Sequence, residues 1–467
     1  MKKSLCSVSM GCLLALAACG EGKTYEAKWS SLDQRPVPQW WVDAKFGIFV
    51  CWGLYSVPAY APTSEAKRHA GYAEWYQGRL LTNHKDFVPF NEKHYGKMPY
   101  ANHVKSFTCE HFNVDEWAAL FKRSGAKYTI LTSKYHDGYA LWPSAETPYY
   151  NSVALGPGRD LCAEFTTAMK KAGIKSGFYY SLLEFANPLY PKALPAVRGA
   201  NPMPIRAWSA QMNLPQMKDL VMRYQADLIW PDGDWDYPDG DFLSEQFLAW
   251  LFNESPVKDT VAVNDRWGKC RGKHGGFYTT EYGTEKEKSV ASASQHPWEE
   301  NRGIGYSFGL NKFETTDHYL SNTACVELLV SVVSRGGNLL LDVGPDPEGM
   351  IPVIMQERLL AIGKWLEVNG EAIYASRRGT LRGGKRVYTT DGKTARYVID
   401  FNLDGKPFTV GGIKGPVKVE LVGSPVPVEF SCEGDKLTIK PPALAPVAAP
   451  CESAWTYRVT AILNDRS

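Results

Sequence analysis

Five aspartates follow a short apolar segment near the middle of the chain, where "LIWPDGDWDYPDGD" occupies residues 228–241. Alternating carboxylates can hold a calcium ion, but a calcium loop also needs glycine at its sixth position and glutamate at its twelfth. Counted from Asp232, those positions hold Tyr237 and Leu243. The spacing therefore favours one reactive carboxylate, Asp232, with Asp234 as a neighbour that could act on the local field or on a substrate hydroxyl. Asp236, Asp239 and Asp241 are interpreted as a solvated turn.

Two carboxyl groups are needed to cleave a glycosidic bond with retention, one to attack the anomeric carbon and one to protonate the leaving oxygen. Asp232 is a candidate for the first group, because it follows an apolar strand-like run and precedes the flexible Gly233. Glu281 in "YTTEYG" also follows a strand-like segment and is the candidate for the second. Glu299 in "HPWEENRG" is the alternative acid.

Short apolar strands alternate with helices around these residues. Helices are predicted near 113–123, 160–171 and 214–224, and the strands that follow them at 127–133, 175–183 and 226–231. This alternation is typical of parallel βαβ units. Further strands are predicted at 45–52, 260–267, 275–282 and 336–344. About eight strands in this length of chain predict an α/β fold, a TIM-like (β/α) barrel.

Polar side chains come directly after five of these strands. They are His136, Glu184, Asp232, Arg266 and Glu281. In a barrel the carboxyl ends of all strands lie at one face, which is where active sites are found. The sequence therefore predicts that these side chains meet in one site.

The pattern changes near residue 375, after a helix predicted at 356–368. Short alternating strands with turn signals then continue towards the C-terminus, which is typical of a small β-sandwich. We therefore predict a signal peptide at 1–18, a catalytic barrel domain at 19–375 and a β-sandwich domain at 376–467.

The N-terminal segment has the features of an export signal. Lys2 and Lys3 precede an apolar stretch that is too short to span a bilayer, and "LAAC" ends at Cys19. This ending resembles a bacterial lipobox, with Cys19 as the lipidated residue; a plain signal peptide is the alternative. The prediction is an exported, lipid-anchored protein in the periplasm or on the outer-membrane surface, with membrane contact only through the anchor.

Composition narrows the function further. A net charge of +2 offers no electrostatic basis for nucleic-acid binding, while 15 Trp and 25 Tyr suit the apolar faces of sugars. The chain lacks the motifs of phosphate loops, zinc proteases and serine hydrolases, so no cofactor and no metal are predicted. Among its widely spaced cysteines, Cys432 and Cys451 are the one pair considered for a disulfide.

Several motifs, in order, resemble the family 29 glycoside hydrolases, the retaining α-L-fucosidases. They include "DAKFGIFVCWGLYSVPAY", "GAKYTILTSKYHDGYALWPS", "GFYYSLLEF", "LIWPDGDW", "VNDRWG" and "GGNLLLDVGP". The resemblance runs from about Trp40 to Tyr374. It implies a distorted barrel with a C-terminal β domain, no metal cofactor, and exo-acting release of α-L-fucose from fucose-containing oligosaccharides or polysaccharides.

The resemblance also assigns roles to residues. By matching position, Asp232 is the nucleophile and Glu281 the acid/base. The residues matched to substrate binding are Cys51, Trp52, Glu74, Trp75, Tyr135, His136, Tyr180, Trp230 and Arg266.

Three positions depart from the family pattern. Cys51 and Tyr135 stand where the family usually has histidines that contact fucose hydroxyls, and Asp342 stands where it usually has asparagine. A thiol is a poor hydrogen-bonding group and a tyrosine carries a single hydroxyl. We therefore expect a modified glycone, such as a substituted fucose. The alternatives are an α-L-galactosidase or related α-L-glycosidase, and a non-catalytic surface lipoprotein that binds fucosylated glycans.

Overall fold

Eight parallel strands form the central sheet in a computed structural model that describes residues 24–63 and 71–462. They are β1 (Phe46–Val50), β2 (Tyr128–Lys134), β3 (Lys175–Ser181), β4 (Leu228–Asp232), β5 (Ala262–Val263), β6 (Tyr278–Glu281), β7 (Trp298–Gly303) and β8 (Asn338–Val343). Their order is β5-β4-β3-β2-β1-β8-β7-β6, so the sheet curls back on itself. The predicted TIM-like barrel is confirmed.

The barrel is distorted where its two edges meet. β5 has only two residues, and it meets β6 through a single parallel bridge between Asn264 and Phe277. The Phe277 N–H donates to the Val263 carbonyl at 3.0 Å, and the Gly276 N–H donates to the Asn264 carbonyl at 3.0 Å. These two hydrogen bonds hold the segment after β5 beside the segment before β6. The polar residues predicted to act in catalysis come next in the chain after each of these segments.

Helices surround the sheet in the described residues. They are α1 (Trp29–Leu32), α2 (Gln39–Ala44), α3 (Tyr76–Leu81), α4 (Phe87–Tyr95), α5 (Val114–Arg123), α6 (Leu161–Ala172), α7 (Ile205–Trp208), α8 (Leu214–Tyr224), α9 (Ser244–Asn253), α10 (Glu285–Ala293), α11 (Asn322–Ser334) and α12 (Val353–Asn369). Two of the predicted helix starts are explained by capping: Asn113 accepts from the Glu116 N–H and Asp160 from the Ala163 N–H.

β7 is the strand that the sequence did not predict. Its sequence, "WEENRG", is polar, yet five of its six residues are buried. Glu299 and Glu300 are fully buried because each carboxyl is met by donors from neighbouring segments, including the Tyr128 hydroxyl and the Gly283 N–H. Apolar periodicity cannot reveal a strand whose interior positions are satisfied by hydrogen bonds.

Two antiparallel sheets follow the barrel. The first contains β9 (Arg377–Arg378), β10 (Val387–Asp391), β11 (Arg396–Asp400), β13 (Val417–Leu421) and β16 (Trp455–Ala461), and the second contains β12 (Phe408–Gly411), β14 (Glu429–Glu433) and β15 (Lys436–Lys440). Val398, Val410, Leu437 and Tyr457 are fully buried between them. The predicted β-sandwich is confirmed.

The considered disulfide is absent from this sandwich. Cys432 lies exposed on β14, whereas Cys451 is half-buried and accepts from the Asn369 side chain at 3.0 Å. Both thiols are free, so the Cys432–Cys451 disulfide considered from the sequence is not formed in this structure.

The predicted signal peptide and Cys19 lie outside the described residues. Within residues 24–63 and 71–462, no helix is both long and apolar enough to cross a membrane.

Candidate active site

A cavity of about 420 Å³ opens at the carboxyl ends of the barrel strands. Asp232 is the last residue of β4 and Glu281 the last residue of β6, while His136 and Arg266 stand on the segments that follow β2 and β5. These four line this cavity, as the alternation of strands and polar residues predicts. Glu184, the fifth residue predicted to meet them, does not line it: its buried carboxyl accepts from Lys134 Nζ at 2.6 Å.

Arg266 joins the two candidate catalytic carboxyls. Its Nη1 donates to Asp232 Oδ1 at 2.7 Å and its Nη2 to Glu281 Oε2 at 3.0 Å. Arg266 is only 2% exposed, and its guanidinium lies over the Trp230 ring at 4.4 Å from the centroid. One buried cation therefore holds both carboxylates at the same side of the cavity.

The contacts of Asp232 suit the role of nucleophile that the sequence predicts for it. The Tyr179 hydroxyl donates to its Oδ2 at 2.9 Å, and the His136 Nε2 lies 3.8 Å from the same oxygen. Burial by itself raises the pKa of the Asp232 carboxyl, but the positive charge of Arg266, aided by Arg271, holds the pKa below its ordinary value. The carboxyl is therefore ionised at neutral pH, as a nucleophile must be.

Glu281 is more accessible than Asp232. Its side chain is 18% exposed, against 11% for Asp232. Besides the Arg266 contact, its Oε1 accepts from the Tyr72 hydroxyl at 3.1 Å. Its position at the open side of the cavity allows exchange of protons with a leaving group and with water.

Glu299, the alternative acid, lies beneath the cavity rather than in its wall. It pairs in register with Thr279, two residues before Glu281 on the neighbouring strand. Its two oxygens accept from the Trp230 indole at 2.9 Å and the Tyr128 hydroxyl at 2.5 Å. Burial raises the pKa of Glu299 to about 7 in spite of these two donors. Its contacts orient Trp230, which does line the cavity.

Most of the residues predicted to bind substrate line the cavity. They are Cys51, Glu74, Trp75, Tyr135, His136, Trp230 and Arg266. Burial lowers the pKa of His136 to about 4, so its imidazole is neutral, and its Nδ1 contacts the Ser181 hydroxyl at 2.7 Å. The Cys51 thiol lies 3.2 Å from the Tyr55 hydroxyl.

The prediction that Trp52 and Tyr180 bind substrate is corrected, because neither lines the cavity. Trp52 packs on the outer side against Phe107 and Trp117 and donates its indole N–H to the Asp346 carbonyl. The Tyr180 hydroxyl donates to Gln216 at 2.7 Å, among the helices. Successive side chains of a strand point to opposite faces, so Tyr179 enters the cavity and Tyr180 does not.

Other cavity residues were not predicted from the sequence. They are Phe49, Tyr72, Arg79, Thr132, Tyr179, Trp235, Arg271, Asn301 and Phe308. Tyr179 neighbours the predicted Tyr180, but both faces of this strand are buried, so alternation alone could not show which of the two side chains enters the cavity. The residues on loops have no periodicity from which their direction can be predicted.

The later aspartates of the acidic stretch have separate partners. Asp234 accepts from Arg271 Nη2 at 2.6 Å, Asp236 from the Tyr190 hydroxyl at 2.8 Å, and Asp239 from the Trp29 indole at 2.6 Å. In the part of the chain that the structure describes, no group of three or more His, Cys, Asp or Glu side chains is arranged to hold a metal ion.

Asp342 is a buried carboxyl beneath the cavity that has no hydrogen-bond partner of normal geometry among the described residues. Burial, and then the charge of Glu74, raise its pKa well above the ordinary value. At pH values between the pKa of this carboxyl in the unfolded chain, about 3.9, and its raised pKa in the folded protein, the folded state keeps a proton that the unfolded chain has lost. This carboxyl therefore lowers stability as pH rises.

Replacing Asp342 by asparagine is expected to remove this dependence, because the amide resembles the neutral acid in shape. Each pH unit between the two pKa values is worth roughly 1.4 kcal/mol, so we expect the melting temperature to rise by about 2 °C or more at pH 8. The gain at pH 4 should be close to zero. Thermal unfolding of parent and variant at both pH values checks this, and an equal gain at both would contradict it.

Comparisons with known proteins agree with this geometry. The family model described as "Alpha-L-fucosidase" matches residues 12–371. The α-L-fucosidase of Dictyostelium discoideum is 39% identical over 94% of this chain and 96% of its own length. The tissue α-L-fucosidase of Homo sapiens is 38% identical, over 94% of this chain and 92% of its own.

Solved structures are similar as well. The crystal structure of a Thermotoga maritima α-fucosidase in complex with fucose superposes with a TM-score of 0.80 at 32% identity, and covers 93% of this chain and all of that one. A complex of the same protein with a mechanism-based inhibitor superposes with the same score at 33% identity.

Proposed function

The chain belongs to the α-L-fucosidase family, and we propose on that premise that Asp232 and Glu281 are the two residues that carry out its reaction. The enzyme is a glycoside hydrolase that releases terminal α-L-fucosyl residues from glycans with retention of configuration. The observation that carries the residue assignment is the shared contact with Arg266, which places both carboxylates in one cavity.

The reaction proceeds by two displacements. An Asp232 oxygen attacks the anomeric carbon while the Glu281 carboxyl gives its proton to the leaving oxygen, and a fucosyl ester of Asp232 forms. Water then attacks the same carbon, Glu281 takes the proton, and the Asp232 carboxylate leaves. Two inversions at one carbon restore the original configuration.

Tyr179 and Arg266 assist by holding Asp232 in one orientation. Their hydrogen bonds occupy one oxygen each, at 2.9 and 2.7 Å. A carboxylate fixed in this way needs little rearrangement before it attacks. When the ester forms, the charge of Asp232 disappears and the Arg266 guanidinium remains beside Glu281, at the stage at which Glu281 has to accept a proton.

The glycone is proposed to be a fucose with a substituent or an added hydroxyl, because Cys51 and Tyr135 line the cavity where the family usually has histidines. Tyr135 lies with its ring 4.2 Å from that of His136 and stacks on Tyr179, and the Cys51 thiol contacts Tyr55 rather than projecting a donor into the cavity. The second candidate activity is that of an α-L-galactosidase, since L-galactose adds one hydroxyl to L-fucose.

The test is hydrolysis of nitrophenyl α-L-fucoside and nitrophenyl α-L-galactoside by the parent enzyme and by the double variant Cys51→His, Tyr135→His. Restored donors are expected to raise kcat/KM on the plain fucoside by roughly 10-fold or more, since a hydrogen bond to a buried partner is worth about 1–3 kcal/mol. The ratio of fucoside to galactoside hydrolysis should rise with it. A double variant that is no better on the fucoside would refute the proposed glycone, while leaving the assignment of Asp232 intact.

The protein is further proposed to be exported and anchored by lipid on Cys19, on the basis of the "LAAC" segment. Mass spectrometry of the mature N-terminus tests this. A diacylglyceryl group on Cys19 supports the proposal, and an unmodified N-terminus at another residue overturns it.

A further inference from the structure

The His136 ring has a polar neighbour on each side. Its Nδ1 lies 2.7 Å from the Ser181 Oγ, and its Nε2 lies 3.8 Å from Asp232 Oδ2. Trp75 and Trp235 meet the same ring at centroid distances of 5.2 and 5.5 Å, with interplanar angles of 67° and 84°. The two indoles fix where the ring lies, whereas the position of its proton depends on the polar neighbours.

Ser181 is the neighbour that decides the position of this proton. It is fully buried at the end of β3, opposite Asp232 on β4, and does not line the cavity. Its Oγ lies 2.6 Å from the Leu183 carbonyl oxygen, which can only accept, so the single hydroxyl proton lies in that contact. Towards His136 the Ser181 Oγ is therefore an acceptor, and the His136 Nδ1 donates to it.

The other ring nitrogen is left with a lone pair. Burial lowers the pKa of His136 to about 4, so the neutral ring carries one proton, on Nδ1. The His136 Nε2 and Asp232 Oδ2 are then both acceptors, and at 3.8 Å they share no hydrogen bond. The space beside these two atoms suits a hydrogen-bond donor, such as a sugar hydroxyl.

We infer that Ser181 is a positioning residue that keeps the His136 proton on Nδ1, so that Nε2 accepts from a hydroxyl of the bound sugar. The inference rests on the proposed function, in which Asp232 is the nucleophile. A proton on Nε2 would point at Asp232 Oδ2, which already accepts from the Tyr179 hydroxyl. It would weaken the attacking carboxylate and remove the acceptor that the sugar hydroxyl needs.

Three serine variants separate this role from a structural one. Ser181→Ala removes the acceptor for the Nδ1 proton, and the negative charge of Asp232 then favours the proton on Nε2. Ser181→Thr keeps a hydroxyl on the same carbon and should restore the parental behaviour. Ser255→Ala is the matched control, because the Ser255 hydroxyl is also buried and also donates to a carbonyl, that of Leu251 at 2.7 Å, but does not line the cavity.

The first measurement is ¹⁵N NMR at pH 7 of protein labelled in its histidine rings, in which protonated and unprotonated ring nitrogens have separate signals. His136→Gln identifies the signals of His136 by their loss. We expect the proton on Nδ1 in the parent, in Ser181→Thr and in Ser255→Ala, and a shift towards Nε2 in Ser181→Ala.

The second measurement is kcat/KM on nitrophenyl α-L-fucoside. We expect it to fall by roughly tenfold in Ser181→Ala, the factor to which one hydrogen bond of ordinary strength corresponds. Ser181→Thr and Ser255→Ala should hydrolyse the fucoside as the parent does.

A parent protein with the His136 proton on Nε2 would overturn the inference without any variant. It would also be overturned if Ser181→Ala kept the proton on Nδ1, whatever its activity, or if the proton moved while kcat/KM stayed parental. A parent enzyme that hydrolyses no fucoside would contradict the proposed function, and the NMR signals would still report the proton. The two failures are therefore distinguishable.

Discussion

The Asp232→Gly variant is expected to lose turnover by roughly 10⁴- to 10⁶-fold, the range of losses measured when members of a covalent catalytic set are removed. The physical reason is that Arg266 and Tyr179 hold the Asp232 carboxylate in one orientation, and the variant has no carboxylate at that position. Steady-state hydrolysis of nitrophenyl α-L-fucoside measures the loss.

Added azide sharpens this test, because a small anion can occupy the space of the missing carboxylate. With Asp232→Gly, one direct displacement by azide should yield the fucosyl azide of inverted configuration. Asp241→Ala, which removes a carboxylate from the same acidic stretch, is the matched control and should retain parental activity. If Asp232→Gly kept more than a hundredth of the parental kcat, Asp232 would not be the nucleophile.

The Glu281→Ala variant is expected to lose activity according to the leaving group. General acid catalysis contributes typically 10²- to 10⁴-fold, and a saccharide leaving group needs it far more than a nitrophenolate does. We therefore expect kcat/KM to fall by roughly that range on fucosyl disaccharides, and by less on nitrophenyl α-L-fucoside. Azide should restore turnover and yield the fucosyl azide of retained configuration, since the Asp232 ester still forms first.

Glu299→Gln is the matched comparison for Glu281→Ala. Glu299 is fully buried and contacts Trp230 and Tyr128, so its loss should reduce activity on both kinds of substrate by a similar factor. The opposite outcome, in which the Glu299 variant shows the dependence on leaving group and azide rescue while the Glu281 variant does not, would transfer the acid/base role to Glu299.

The sequence by itself determined which residues follow which strands. The apolar run before Asp232 and the glycines and caps around the helices are local signals, and they predicted seven of the eight barrel strands. Six of these lie at nearly their observed positions, while the strand predicted at 260–267 has only two residues, Ala262–Val263. Since a parallel barrel gathers the carboxyl ends of its strands at one face, that order was sufficient to place Asp232, Glu281, His136 and Arg266 together.

Only the tertiary structure decided which way the side chains point and what they contact. Tyr179 and Tyr180 are adjacent on β3, yet one donates to Asp232 and the other to Gln216. The choice between them depends on the pairing of β3 with β4, where Tyr179 lies opposite Trp230. A strand carries no local signal for which of its two faces is turned inward when both are buried.

Contacts between residues far apart in the chain also explain why β7 is a strand and why Glu281 and Glu299 lie in different places. The polar segment "WEENRG" forms a strand because Tyr128, Trp230 and Thr280, which are distant in sequence, meet its carboxyls. Its Glu299 then lies under the cavity, while Glu281 enters it from the neighbouring strand. The sequence identified both as candidate acids, Glu281 after a strand-like segment and Glu299 without one, but hydrogen bonds between residues far apart in the chain decided which of them faces the substrate.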